Sequence, residues 1–316
     1  PGASTTEQNW VSTHKRPNGK TRAPTMEHQS FRHVPSDMAV PSRPGSSKPF
    51  PPETAALLAR ILSCADAEII WRDICAFFAG FGFEHVLYGY SPDSRGAILG
   101  APEDYLVHST LPQSVVQEMV TEGYFRMSVT FNWALRNVGV ASWSMTAEES
   151  GIEEEIPITA AGTDFFLRHG LLTGCSIGFM PERTRGRAVM ALIAPPEVPQ
   201  HHVDAILTDT QDLIFAVAAV AHRCLSSLPY HTPGRRLTRR QREVLEWVAE
   251  GKTSADIAVI MGITTPTVEK HLRLARETLG VETTPHALVK ATFLNQMFVT
   301  SPIETGTRRT LVPWGM

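Results

Sequence analysis

Hydrophobic positions recur at helical spacing in several separate segments of the first two thirds of the chain. Apolar residues fall at three- and four-residue steps in residues 53–63, 111–122 and 159–169, which is the period of an amphipathic helix. Asp66 precedes another such run, is placed to cap its first turn, and is followed by Gly80 at the end of the run. These four segments are predicted to be helices.

Other segments carry the composition of strands. Residues 83–90 are β-branched and aromatic, and residues 175–180 and 187–194 flank a polar turn as the two arms of a hairpin. Residues 128–144 are predicted to be an aromatic-rich connector. Helices, then strands, then helices again predict an α/β sandwich, in which helices flank one antiparallel sheet.

Residues 201–225 keep the helical period over a much longer stretch and predict a single long helix. Its apolar surface exceeds what one sheet face normally covers, so it is interpreted as a dimerisation helix, with a place in the core as the alternative. The residues assigned to the dimer face are Ile206, Leu213, Val217 and Val220.

Composition divides the chain into an arm, two domains, a linker and a tail. The arm is rich in Pro and Ser with scattered positive charge, and is predicted to be disordered because it lacks the apolar residues of a core. The segments are the arm at 1–50, the first domain at 51–225, the linker at 226–236, the second domain at 237–297 and the tail at 298–316.

The second domain is predicted to be all-α, with four helices that form a helix-turn-helix unit. Thr238 opens the first helix with the spacing of a capping box, and Thr253 caps the second helix, which Gly262 ends. Thr264 or Thr265 caps the third helix, and a fourth apolar helix closes the bundle. A short turn between the second and third helices is typical of DNA-binding proteins.

The third helix has hydroxyl side chains near its start and cations further along one face. Hydroxyl groups suit base edges, and cations suit phosphates. The residues predicted to contact DNA are Thr265, Thr267, Lys270, Arg273 and Arg276.

Charge is distributed in a way that agrees with this assignment. Residues 51–234 carry 10 Lys or Arg against 21 acids, whereas residues 235–300 carry 10 against 7. Because acidic surface repels phosphate, contact with nucleic acid is expected at the ends of the chain and not in the middle.

Several other classes of site find little support. The four cysteines are far apart and form no CxxC pair, so we predict free thiols, no metal site and no cofactor. His201 and His202 are adjacent and point in different directions on a helix, so they are interpreted as a helix start. No apolar run reaches the ~18 residues of a membrane span. We therefore expect a cytoplasmic protein without a membrane partner.

Residues 237–294 resemble the LuxR-type (GerE-like) helix-turn-helix domain. The resemblance is carried by LTRRQREVLEWVAEGKT, DIAVIMGIT, TVEKHL and LGV. It implies that residues 267–273 enter the major groove of double-stranded promoter DNA and that the protein acts as a dimer with RNA polymerase as a partner. Leu274 and Thr278 depart from the family, which often has Asn and Lys at these positions.

Residues 51–225 resemble the autoinducer-binding domain of quorum-sensing LuxR proteins, through residues 57–90, the Trp143 that ends the tripeptide ASW, and HGLLTG before the hairpin. The resemblance implies a small-molecule signal. In acyl-homoserine-lactone receptors, a Trp and a Tyr on one helix and a following Asp-Pro hold the ligand. Those places fall here on Val115, Met119, Ser128 and Val129.

The candidate pocket residues are thus Val115, Met119, Ser128, Trp143 and Gly174. The usual polar contacts are missing from this set, although Tyr124 and Trp133 lie close enough in sequence to serve in an altered register. A different ligand, a partner protein and an empty pocket all remain open.

The motif GCSIG at residues 174–178 has the GxSxG spelling of a serine hydrolase. That chemistry requires the serine on a tight strand-to-helix turn with a later Asp and His. Because the motif here runs into a strand, turn and strand, we predict that Ser176 lies within a strand and that the protein is not an enzyme.

The function predicted from the sequence is therefore a sequence-specific transcriptional regulator of the LuxR type that forms a homodimer and lacks the usual lactone contacts. An alternative is a LuxR-like modulator that acts without a ligand or that forms a heterodimer with a LuxR relative.

Overall fold

The computed structural model describes residues 51–95, 98–152, 156–181, 185–229 and 235–298. Its α-helices are α1 (Pro52–Leu62), α2 (Ala67–Ala79), α3 (Gln113–Thr121), α4 (Val129–Ala134), α5 (Ala147–Ser150), α6 (Ala160–Arg168), α7 (Gln200–Ser227), α8 (Arg239–Ala249), α9 (Ser254–Met261), α10 (Thr265–Leu279) and α11 (Thr284–Phe293). Its strands are β1 (His85–Ser91), β2 (Ser94–Arg95), β3 (Ile98–Leu99), β4 (Leu106–Ser109), β5 (Gly139–Ser142), β6 (Gly174–Gly178) and β7 (Arg187–Ile193). The predicted arm, the middle of the linker and the tail beyond residue 298 lie outside the described residues.

A five-stranded sheet forms the centre of the first domain, with the strand order β4-β1-β7-β6-β5 and antiparallel pairing throughout. The predicted α/β sandwich is confirmed, and the predicted hairpin consists of β6 and β7. The strands β2 and β3 form a separate two-stranded ribbon.

The prediction of a plain connector at residues 128–144 is wrong. The segment contains α4 and the edge strand β5, which pairs with β6. Ser128 caps α4, since its Oγ accepts a hydrogen bond from the Phe131 amide. With six and four residues, the two elements are too short for a hydrophobic period to become visible in the sequence.

The two faces of the sheet have different roles. On β7, the alternate residues Ala188, Met190 and Leu192 belong to the core cluster that the sheet shares with α1, α2 and α7. The intervening Val189 and Ala191 face the opposite side, where α3, α4 and α6 leave a cavity. This alternation follows from the two-residue period of a strand.

A single glutamine side chain anchors the start of α7 to the sheet. Gln200 Oε1 accepts from the Gly174 amide at 2.9 Å, and Gln200 Nε2 donates to the Gly174 carbonyl at 3.0 Å. A Cβ atom at Gly174 would lie 2.2 Å from the Leu192 carbonyl oxygen, so the strand requires glycine there. The role of Gly174 is therefore to allow close backbone approach.

The predicted dimer face of α7 needs one correction. Val217 is fully buried among α7, α2 and the sheet, so its side chain cannot contact a second subunit in this fold. Ile206, Leu213 and Val220 remain half-buried at seven-residue spacing along one side of the helix. Although α7 is 28 residues long, no helix in the described ranges is both long and apolar enough to cross a membrane.

One buried polar pair joins α7 to the sheet. The hydroxyl of Tyr88 on β1 lies 2.9 Å from His222 Nδ1, and the Phe179 ring stacks on the imidazole. Burial lowers the pKa of His222 to about 4, and the neighbouring Arg223 shifts it in the same direction. The imidazole is therefore neutral in the folded protein at physiological pH.

The pH dependence of stability follows from this depressed pKa. Below pH 6.5, the ordinary pKa of histidine, the unfolded chain binds a proton at His222 and the folded chain does not. The free energy of unfolding therefore decreases as the pH is lowered from 6.5 to about 4. Between pH 7 and pH 4.5, we expect His222 to lower the free energy of unfolding by about 2 kcal/mol. Urea denaturation at both pH values measures this loss. The stability of the His222→Gln variant should depend less on pH than that of the parent. His202→Gln, on the exposed first turn of α7, is the control and should match the parent. Equal pH dependence in all three proteins would contradict the assignment.

The second domain shares a hydrophobic core with the first domain. One continuous cluster of buried side chains contains Leu225 at the end of α7 together with Leu237 and Leu294. Polar contacts reinforce it, since Asp104 forms ion pairs with Arg235 at 2.6 Å and with Lys290 at 2.9 Å. The two domains are thus packed against each other on both sides of the linker.

Candidate DNA interface and ligand cavity

The start of α9 and the turn to α10 are fixed by local hydrogen bonds. Thr253 and Asp256 form a capping box, and hydrogen bonds from Thr253 hold the pKa of the Asp256 carboxyl below its ordinary value. Gly262 ends α9 with a φ of 63°, a left-handed conformation that favours glycine. Thr264 occupies the cap position of α10, and its hydroxyl bonds to that of Thr267 at 2.8 Å. The predicted helix-turn-helix geometry is present.

One face of α10 packs on the rest of its domain. Val268, Leu272, Ala275 and Leu279 are buried against α8, α9 and α11. This stripe orients α10 so that its opposite face is open to solvent along the whole helix.

The open face of α10 contains most of the side chains predicted to contact DNA. Thr265, Lys270 and Arg273 are exposed, and Thr267 is half-buried. The guanidinium of Arg273 pairs with Glu277 at 2.6 Å, one turn further along. The cationic surface of the helix is therefore centred on Lys270 and Arg273.

Arg276 has a different environment from the one expected. It is half-buried, and its Nη1 donates to the Thr284 hydroxyl at 3.0 Å. The side chain thus links α10 to the first residue of α11. The geometry therefore assigns Arg276 to the packing of these two helices.

The second candidate site is a cavity of about 390 Å³ on the face of the sheet opposite α7. Most of its lining is apolar, with contributions from α4, α6 and the inner faces of β1, β6 and β7. Among the described lining residues of this cavity there is no Asp, Glu, Lys or Arg. It therefore suits an uncharged, largely apolar molecule.

A small polar cluster lies in one wall of the cavity. Trp143 Nε1 donates to Ser176 Oγ at 2.9 Å, and the Thr130 hydroxyl lies 2.9 Å from the same oxygen. Ser128 Oγ is 3.2 Å from the Thr130 hydroxyl. Hydroxyl groups can donate or accept, so this cluster can bind a carbonyl or hydroxyl group of a ligand.

A narrower compartment of about 90 Å³ adjoins the main cavity. Leu87, Met119 and Ala191 line both spaces, and Tyr105 and Arg187 line the narrow one. A ligand with a polar end and an apolar extension could therefore occupy both spaces in sequence.

The structure places only some of the predicted pocket residues in the cavity wall. Met119, Ser128 and Trp143 line it, as does Val129. Val115 is instead buried in the adjoining core, and Gly174 contributes backbone contacts to Gln200. These two assignments are corrected, because α3 turns Val115 away from the cavity and β6 buries the glycine.

Tyr124 and Trp133, the residues considered for an altered register, are not among the described residues that line the main cavity. Tyr124 packs on Phe165, and Trp133 belongs to a separate cluster with Leu135. In this arrangement neither side chain contributes a polar group to the wall of the main cavity.

Thr130 and Ser176 also line this cavity, although neither was predicted to be a pocket residue. Ser176 lies inside β6 as predicted, and it is 2% exposed. Its described hydrogen-bond partners are Trp143 and Thr130, neither of which is a general base. The two-residue alternation along β6 could have placed Ser176 on the cavity face. Thr130 could not have been placed there, because its position depends on α4, which was not predicted.

Metal binding finds no support at the histidine pair. His201 and His202 are exposed in the first turn of α7. Across the described ranges, no group of three or more His, Cys, Asp or Glu residues is arranged to hold a metal ion.

Comparison with known proteins gives matches in both domains. A model described as the autoinducer binding domain matches residues 66–225, and one described as bacterial regulatory proteins, luxR family, matches residues 235–291. The transcriptional activator protein AnoR of Acinetobacter nosocomialis is 24% identical over 239 residues, which are 75% of this chain and 96% of AnoR. The HTH-type quorum sensing-dependent transcriptional regulator RpaR of Rhodopseudomonas palustris is 42% identical over 77 residues, 24% of this chain and 32% of RpaR. A crystal structure of Escherichia coli SdiA is similar with a TM-score of 0.43 and 17% identity, over 78% of this chain and 98% of SdiA.

Proposed function

This chain belongs to the LuxR family of bacterial regulatory proteins, with an autoinducer-binding domain ahead of its DNA-binding domain, and from that premise we propose how it is controlled. A small uncharged signal binds in the cavity of the first domain and changes the affinity of a homodimer for promoter DNA. The DNA-bound dimer would then recruit or block RNA polymerase in the bacterial cytoplasm, on the nucleoid. The family is one of transcriptional regulators and not of enzymes.

The cavity and its polar cluster are the observation that carries this proposal. The cavity provides apolar lining for a chain or ring, and the hydroxyls of Thr130 and Ser176 with the Trp143 N–H provide directed contacts. A partner protein would need an exposed surface, whereas these three groups lie in an internal wall. A small molecule is therefore the occupant that the geometry favours.

The chemistry at position 128 bears on which molecule that is. Ser128 Oγ accepts from the Phe131 amide as the cap of α4, so it does not offer the charged acceptor of a lactone receptor. A hydrogen bond to a charged group contributes about 1.5–3 kcal/mol. We therefore propose that an ordinary acyl-homoserine lactone binds at least about tenfold more weakly here than a ligand whose polar end carries only carbonyl or hydroxyl groups.

DNA binding is assigned to α10 in the major groove. Its buried stripe fixes the helix on the domain, and its open face presents Thr265, Thr267, Lys270 and Arg273. The short hydroxyl side chains near the start of the helix would contact base edges, and the cations would contact phosphates.

Genome-wide footprinting of the full-length protein, with and without an organic extract of the culture medium, tests the function. We expect protected promoter sites whose occupancy changes with the extract. Promoter protection that is the same with and without the extract would favour the ligand-independent alternative. A complete lack of protection would contradict the proposed regulation of promoters by this protein alone.

The dimer is proposed to form along α7, through Ile206, Leu213 and Val220 on its half-buried side. Leu213→Glu would place a charge in an apolar contact, and we expect it to convert a dimer into a monomer at micromolar concentration, which halves the mass measured by light scattering after size exclusion. Thr208→Glu, on an exposed side of the same helix, serves as the control and should stay dimeric. A parent protein that is strictly monomeric would instead favour pairing with a LuxR relative.

A further inference from the structure

The exposed face of α10 carries a carboxylate where the proposed DNA contact would be closest. Glu269 is exposed, lies one turn after the start of the helix, and stands between Thr265 and the cations Lys270 and Arg273. A carboxylate that faces a phosphate is repelled. The helix dipole favours acidic groups only within the first turn, which ends before residue 269.

The contacts of Glu269 set it apart from the other carboxylate on this face. Glu277 is neutralised by Arg273, although Arg273 lies one turn from Glu269 as well. Within the part of the chain that the structure describes, no cation forms an ion pair with Glu269. Its described contact is a hydrogen bond from the hydroxyl of Ser254, in the first turn of α9, at 2.5 Å. This bond holds one carboxylate oxygen and leaves the other available for a further donor.

The donors in the major groove of DNA are few. Cytosine presents its N4 amino group, and adenine presents its N6 amino group beside the acceptor N7. The adjacent N7 repels a carboxylate, whereas cytosine itself offers no acceptor there. Guanine and thymine present acceptors at the same place and would repel Glu269.

We propose that Glu269 recognises a cytosine in each half of the target site, by accepting a hydrogen bond from the N4 amino group. Ser254 is a positioning residue that orients the carboxylate across the gap between α9 and α10. The inference rests on the proposed placement of α10 in the major groove, and it makes Glu269 a determinant of sequence specificity and not of general affinity for DNA.

Selection from a random duplex library with the full-length protein tests this inference. The parent should enrich a cytosine at one position of each half-site, and Glu269→Gln should shift that preference to adenine, which glutamine binds through N6 and N7. Glu269→Ala should lose the preference at that position alone, with discrimination against other bases falling on the order of tenfold. Ser254→Ala should weaken the same preference without changing the other positions.

Modified DNA gives a second, independent measurement. N4-methylcytosine at the selected position removes the major-groove hydrogen, so it should weaken binding by the parent about tenfold and leave Glu269→Ala unaffected. Identical base preferences in the parent and both Glu269 variants would overturn the proposal. Glu269 would then serve only to link α10 to α9 through its hydrogen bond with Ser254. A parent that enriches no sequence would instead overturn the DNA-binding placement of α10 itself. Glu269→Gln preserves the size of the side chain, so the test stands even where Glu269→Ala loses stability.

Discussion

The double substitution Lys270→Ala/Arg273→Ala is expected to weaken binding to promoter DNA roughly thirtyfold at about 0.15 M salt. Both cations are exposed on the open face of α10. Each cation opposite a phosphate adds about 0.9 to the slope of log affinity against log salt concentration, which is roughly fivefold in affinity at this salt concentration. The loss should apply to all sequences alike, because phosphates carry no sequence information. Fluorescence anisotropy over a salt series measures both the affinity and the slope.

A control with the same change in charge separates this local contact from the net charge of the protein. Arg72→Ala/Arg168→Ala removes two exposed cations from the first domain, on α2 and α6. It should leave the salt slope close to that of the parent. If the two double variants lose affinity equally, α10 is not the surface that contacts the phosphates.

Filling the cavity is expected to abolish the response to a signal. Ala191 on β7 lines both compartments, so Ala191→Trp would place an indole ring where the ligand is proposed to lie. If about 100 Å² of ligand surface then stays unburied, the loss is about 2.5 kcal/mol, or roughly seventyfold in affinity. The neutral fluorophore N-phenyl-1-naphthylamine provides a direct measurement, because its emission increases in apolar surroundings.

Ala191→Ser is the matched control, since it changes the polarity of the position but hardly its volume. It should bind the fluorophore nearly as the parent does and keep the response to culture extract in footprinting. Equal binding of the fluorophore by the parent and by Ala191→Trp would show that the fluorophore binds elsewhere. That result would contradict the proposal that the cavity is the signal-binding site.

The DNA-binding domain could be predicted in detail because its determinants are local. Thr238, Thr253 and Gly262 each start or end a helix through hydrogen bonds or backbone conformations that involve only a few neighbouring residues. The side chains that stay exposed on α10 follow from the same helical period. Arg276 was the exception, because its contact with Thr284 depends on how α11 folds back.

The cavity could be predicted only in part, because it is assembled from distant segments. Thr130, Trp143 and Ser176 meet through the pairing of β5 with β6 and the packing of α4 on the sheet, which no local pattern encodes. Val115 was predicted to line the pocket, but the rotation of α3 about its axis buries this side chain in the adjoining core. Val217 was likewise placed on the correct helix but on its buried side.

The continuous core that joins the two domains has a consequence for the amount of active regulator. Because Leu225, Leu237 and Leu294 belong to one cluster, the DNA-binding domain loses part of its core whenever the first domain opens. A ligand that binds only the folded form, at a hundredfold excess over its dissociation constant, raises the free energy of unfolding by about 2.7 kcal/mol. Proteases act on the unfolded fraction, so a bound ligand prolongs the life of the whole chain. The signal would then control the number of regulator molecules as well as the activity of each.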